Sequence, residues 1–131
     1  INVLPEHIIL ENLDSEGGYR CAQKLLMSEY LPTALFLLVS GFSQEVYSVL
    51  QNNGVRIPED IEIIGYSDLV SSRILKPSLT VIDMPIQKMV KKSLQLLLDM
   101  INGYKQEPQN IFEETYFIFR ESCGGFPDTN D

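Results

Sequence analysis

The chain has 131 residues, 44% of them hydrophobic, and a mean hydropathy of -0.01, enough apolar material for the core of one domain or a piece of a larger one. No apolar run approaches the roughly 20 residues that cross a bilayer, and no basic-then-apolar leader opens the sequence. Eighteen acidic against ten basic residues give a net charge of -8 and a pI near 4.6, which argues against gripping nucleic acid through its phosphates.

Residues 7–10, HIIL, read as a short strand. Asp14-Ser15 then offers a helix cap, and Tyr19, Ala22, Leu25 and Leu26 recur at helical spacing to about Tyr30, before the break at Leu31-Pro32. Residues 34–39, ALFLLV, form an unbroken apolar run that predicts a strand buried on both faces, as in a parallel sheet. A second helix is expected from Ser43 to Asn53, carrying Val46, Tyr47, Val49 and Leu50 and stopping at Gly54. Pro58-Glu59-Asp60 reads as a turn and 61–65 as the next strand. Strands alternating with helices over short connections predict a parallel sheet with right-handed crossovers.

Residues 79–82 read as a further strand. Pro85 then opens a helix to about residue 102 with Ile86, Met89, Val90, Leu94, Leu97 and Ile101 along one stripe, ended by Gly103. A polar loop over 104–110 leads to a last strand around 114–119, and residues 124–131 read as a fraying tail. The first residue is Ile1 rather than Met, so the chain reads as part of something longer.

Chemistry of the catalytic kind has no positive signal. His7 stands alone, Cys21 and Cys123 form no CxxC pair, and no phosphate-cradling or nucleophile-elbow motif is present. No cofactor or metal is expected. Two separated cysteines read as reduced thiols and suit a cytoplasmic setting. Gly17-Gly18 weakly resembles a phosphate turn, but helix-entry geometry explains it better. Lys88, Lys91 and Lys92 read as a solvated helix face.

What remains is position. Ligands of open parallel sheets sit beyond the carboxyl ends of the strands. Those ends fall at Glu11-Asn12-Leu13-Asp14, Val39-Ser40-Gly41-Phe42 and Tyr66-Ser67-Asp68. Their mix of hydroxyl, amide, carboxylate and apolar groups suits a small polar ligand; helix caps and turns would use the same residue types at Asp14, Ser40, Ser43 and Asp68.

The run "PTALFLLVSG", then "VYSVLQNNGVRIPEDIEIIGYSD", then "KPSLTVIDMP" resembles the effector-binding domain of the LacI/GalR family. That family reads P-T-A-I-F-x-x-N-D, then G-x-x-V-P-x-D-I-x-I-x-G-[FY]-D-[DN], then P-x-L-T-[TS]-[IV]-x-x-P. "GGYRCAQKLL" upstream and "LLLDMING" and "FRES" downstream extend the resemblance over roughly residues 8–123.

The resemblance implies an α/β fold: a three-layer α-β-α, Rossmann-like parallel sheet forming the C-terminal subdomain of a periplasmic-binding-protein-like domain. Residues 1–123 would make part of that domain, with helix 85–102 packing on an N-terminal subdomain, and 124–131 a tail. Full members carry a DNA-binding head, so DNA would be met only through that head. The implied partners are a small effector (a sugar, sugar phosphate or nucleobase-like molecule) and a second copy in a homodimer, with no membrane. The alternative of the same fold is a solute-binding protein of a transport system.

Carried over by position, the implied ligand contacts are Leu13, Asp14, Ser40, Phe42, Ser67 and Asp68. The family's ligand-contacting aspartate falls on Ser67, and its N-D pair falls on Val39-Ser40. Two customary polar anchors are therefore replaced, which points to a different effector or a weakened grip. The implied dimer contacts are Phe42, Val46, Val49, Val70, Ile74 and Leu75.

Overall fold

A computed structural model describes residues 5–104, 107 and 110–124. After a 3-10 turn at Pro5–His7 come helix α1 (Gly17–Leu26), strand β1 (Ala34–Leu37), helix α2 (Ser43–Asn52) and strand β2 (Glu62–Tyr66). The short helix α3 (Val70–Ile74), strand β3 (Thr80–Asp83), helix α4 (Ile86–Ile101) and strand β4 (Tyr116–Ile118) complete the order. The sheet runs β1-β2-β3-β4; the first three strands are parallel, as the alternation predicts, and β4 pairs antiparallel with β3. The result is an α/β, Rossmann-like architecture.

The helices form where apolar spacing allows. Ala22 and Leu25 of α1, and Val46, Tyr47, Val49 and Leu50 of α2, turn one stripe of each helix onto Leu37, Ile61, Ile63, Leu79 and Val81. Each fully buried aliphatic side chain contributes about 2 kcal/mol of transfer free energy. Gly54 ends α2 with φ +78°, its N–H donating to the Gln51 carbonyl at 3.0 Å, the left-handed stop the sequence predicts.

Two expectations are corrected, and one element is added. Residues 7–10 are not a strand: His7 closes the 3-10 turn and the run makes no ladder with β1, which stays an edge of the sheet among the described residues. Ile8 and Leu10 are exposed and Ile9 packs on the core. The run 34–39 is not buried on both faces. Leu37 faces α1 and α2, but Phe36 is 53% exposed and Leu38 is exposed too. An unbroken apolar run says that both faces are apolar, not that both are covered. The segment after Asp68, left without an element by its sequence, turns through α3. The expected tail lies outside the described residues beyond Gly124, as does part of the loop 104–110.

Helix α4 forms where predicted, yet none of its residues is buried. Ile86, Met89, Val90, Leu94, Leu97 and Ile101 all remain exposed. Lys92 pairs with Glu113 just before β4, so one of the three lysines is engaged rather than solvated alone.

The "FRES" segment acts as a stitch across the sheet. The buried Ser122 hydroxyl donates to the Ile63 carbonyl at 2.6 Å and accepts the Thr80 N–H at 2.8 Å. Its backbone N–H donates to Ser78 at 2.9 Å, and its carbonyl accepts the Ile63 N–H at 3.0 Å. One residue thus fixes β2 to β3, which sets the position of the corner that follows β2.

Candidate functional site

Strand β2 ends because Ser67 turns into the left-handed region, φ +77°, uncommon for a residue other than glycine. The Ser67 N–H still donates to Ile82 at 2.8 Å, continuing the ladder with β3 for one residue. The next N–H, of Asp68, donates to Asp83 Oδ1 at 2.9 Å, and Asp83 Oδ2 accepts the Tyr116 hydroxyl at 3.0 Å. The corner is therefore tied to the ends of β3 and β4.

The end of β1 is joined to it directly. Ser40, buried in a 3-10 turn (Ser40–Phe42), donates its hydroxyl to the Tyr66 carbonyl. Gly65, beside them, leaves room for this contact: a Cβ there would sit 2.9 Å from Ser40 Oγ and from Leu79 Cδ2. Phe42 carries the link to α1, since a Cβ on Gly17 would meet its ring at 2.5 Å and would also strike the Asn12 carbonyl. Gly17-Gly18 is thus a close-packing entry to α1, as its helix-entry reading expects, with both glycines buried.

The structure brings together the segments holding the six predicted ligand residues, but gives them unequal roles. Leu13 is 78% exposed. Asp14 shapes the entry to α1, its Oδ1 accepting the Glu16 N–H at 3.0 Å, and both its oxygens receive Arg20 Nη2 at 2.9 Å. Arg20 also donates to Glu11 at 2.8 Å, and Lys24 reaches Glu11 at 2.6 Å. Those two cations hold the Glu11 carboxyl down at about 2, the Lys24 hydrogen bond contributing most. Ser40 spends its proton on Tyr66, and Phe42 packs against glycine.

Asp68 is the clearest departure from a free ligand contact. Its side chain is 5% exposed, with Arg73 Nη2 at 2.6 Å from Oδ2 and Arg120 Nη2 at 2.8 Å from Oδ1. Burial pushes the carboxyl up, but the bonds and charges of Arg73 and Arg120 outweigh it and leave it below the usual range. Arg120 is itself anchored, donating Nη1 to the Leu79 carbonyl at 2.8 Å and its backbone N–H to Thr80 Oγ1 at 2.9 Å.

Sequence reasoning missed Arg20, Arg73, Asp83 and Tyr116 as members of this region. Arg120 carried a signal, as the arginine of "FRES"; Arg20 and Arg73 stand six and five positions from Asp14 and Asp68, and only Asp83 and Tyr116 are brought in by topology. Two implied dimer contacts are also corrected. Val46 and Val49 lie on the inward stripe of α2, packed in the core, and are unavailable to a partner. Phe42 and Leu75 are half-buried, whereas Val70 and Ile74 on α3 are 78% and 65% exposed. Among the described residues no cluster of three or more metal-ligating side chains occurs, and no helix is long and apolar enough to cross a membrane.

Residues 2–123 match the model of the periplasmic binding protein-like domain. The chain is 31% identical over 125 residues to the HTH-type transcriptional repressor PurR of Escherichia fergusonii, covering 95% of this chain and 37% of the repressor. The PurR of Pasteurella multocida is 30% identical over 122 residues, 93% of this chain and 36% of that protein. The chain therefore spans little more than a third of the length of the curated repressors it matches. Among solved structures, a LacI-family regulator of Enterococcus faecium with bound ribose superimposes with a TM-score of 0.76 at 32% identity, over 89% of this chain and 43% of that one. A CelR–cellobiose complex gives 0.86 at 25% identity, over 93% and 37%. The chain belongs to the periplasmic binding protein-like domains of the LacI/GalR transcriptional regulators.

Proposed function

We propose that this chain is the effector-sensing part of a bacterial transcriptional regulator, acting by binding rather than catalysis. The observation that carries the reading is the corner after β2. The Ser40–Tyr66 bond, the left-handed Ser67 and the ladder to Ile82 place three strand ends at one carboxyl edge of a parallel sheet. Curated relatives named as repressors favour a regulator over a transport protein. A small effector, a sugar, sugar phosphate or nucleobase-like molecule, would bind between this edge and a second lobe. It would shift the equilibrium between lobe arrangements only as far as its affinities for the two differ.

The exposed Val70 and Ile74 supply a surface for a homodimer, which would carry the shift to DNA-binding heads in the cytoplasm. Helix α4, apolar and uncovered, would lie on the second lobe. Ser67 and Val39-Ser40, where relatives place aspartate and an N-D pair, would alter the effector or weaken its hold. A thermal-shift screen of the full-length protein with ribose, cellobiose, sugar phosphates and nucleosides tests the reading. A bound effector at a hundred times its Kd adds about 2.7 kcal/mol. No shift with any compound at millimolar concentration would remove the proposal's main support.

A further inference from the structure

We infer that Asp68 is a positioning residue rather than an effector contact, and that its carboxylate makes the Ser67 corner and helix α3 one mechanical unit. The inference rests on the reading of that corner as the effector site, but stands on geometry of its own. The Asp68 side chain is almost wholly enclosed, 5% exposed, and each of its oxygens meets a different arginine. Arg73 comes from α3 and Arg120 from the segment after β4, so the carboxylate joins two elements that share no strand ladder. Its own N–H is held by Asp83 at the end of β3.

The charges around it balance: Asp68 and Asp83 face Arg73 and Arg120, and Tyr116 satisfies the outer oxygen of Asp83. Oδ2 accepts two hydrogen bonds from Arg73, and Oδ1 is ion-paired with Arg120 without the geometry of a hydrogen bond, so charge from two sides holds the carboxylate in place. Its effect passes to the neighbour. Ser67 sits at φ +77°, a conformation a serine adopts only when its surroundings impose it. The imposing contacts are the Asp68 N–H on Asp83 and the carboxylate on Arg73 and Arg120. The same carboxylate holds Arg73, which follows Val70 by one helical turn and directly precedes Ile74 on α3, and this links the proposed effector position to the proposed partner surface.

The test is hydrogen–deuterium exchange of the full-length protein, with no effector added, so it succeeds or fails independently of the thermal-shift screen. Asp68→Asn and Arg120→Gln should each speed exchange of residues 66–75 at least tenfold while α2 exchanges as in the wild type. The double variant should be no faster than the quicker single, since both break one unit. Arg120→Lys, which keeps the charge facing Asp68 but loses the fork that also holds the Leu79 carbonyl, should exchange severalfold more slowly than Arg120→Gln, a partial rescue that a mere packing role would not give. Should Asp68→Asn fail to fold, Arg73→Gln at an exposed site is expected to speed exchange in 70–75 alone. Unchanged exchange over 66–75, multiplicative singles, or an Arg120→Lys as fast as Arg120→Gln would each overturn the inference.

Discussion

The two faces of the sheet are made of similar residues and meet different fates. The face of Leu37, Ile63 and Val81 is closed by α1 and α2. The face of Phe36, Ile64, Ile82 and Phe117 is half-buried or exposed, with a shallow depression of ≈ 320 Å³ lined by Ala34, Leu35, Phe36, Glu62, Ile64 and Ile82. Period-two alternation assigns residues to faces, but it is the packing of a second layer that decides which face becomes core. An apolar fraction of 44% is therefore not a measure of buried core here. It is divided between a core that is filled and surfaces suited to covering by other protein.

Substitutions can sharpen this contrast. The largest effect is expected on the closed face: Leu50→Ala, at a site with no exposure, should cost about 4 kcal/mol, read as a lower urea midpoint. Next comes the stitch between β2 and β3. Ser122→Ala leaves the Ile63 carbonyl and the Thr80 N–H without their buried partner, at about 2 kcal/mol in the same experiment.

Acid should act at the ion-paired carboxylates, those of the carboxyl edge and Asp60 beside Arg56 in the turn before β2, rather than in the core. The folded Glu11 and Asp68 carboxyls lie below their ordinary values, so the stability they contribute is present above the unfolded carboxylate range. It is lost as pH falls through their folded values. Melting temperature should thus drop from about pH 4.5 toward the Glu11 value of about 2, and Arg20→Gln should flatten that slope. The smallest effect belongs to the open face, where Phe36→Ser should change the stability of this chain by less than about 0.5 kcal/mol, read as an almost unchanged urea midpoint. A large loss there would mean that the second face is closed in solution and would break the contrast.

Much of the fold was legible because its signals are local. Gly54 after an amphipathic run announced the end of α2, and Pro85 and Gly103 bracketed α4. The strand reading of HIIL failed because a strand exists only with a neighbour to bond, and propensity carries no knowledge of neighbours. The dimer reading failed at Val46 and Val49 for a related reason. The apolar stripe that marks α2 as a helix is the stripe that packs inward, so it was a poor guide to an outer surface.

The site divides in the same way. The sequence placed the corner at Tyr66-Ser67-Asp68, because an apolar strand ending in polar residues marks the edge of a sheet, and the replacement at Ser67 needed no structure to be seen. It could not say that Asp68 is enclosed between Arg73 and Arg120, that Ser40 turns its proton to Tyr66, or that Asp14 is held by Arg20. By itself the sequence determined periodicity, turns and strand ends, which depend on residues a few positions apart. Only the tertiary structure decided which polar groups are already paired, because Asp68 and Arg120 stand 52 positions apart and meet only after three parallel strands and an antiparallel fourth have been laid side by side.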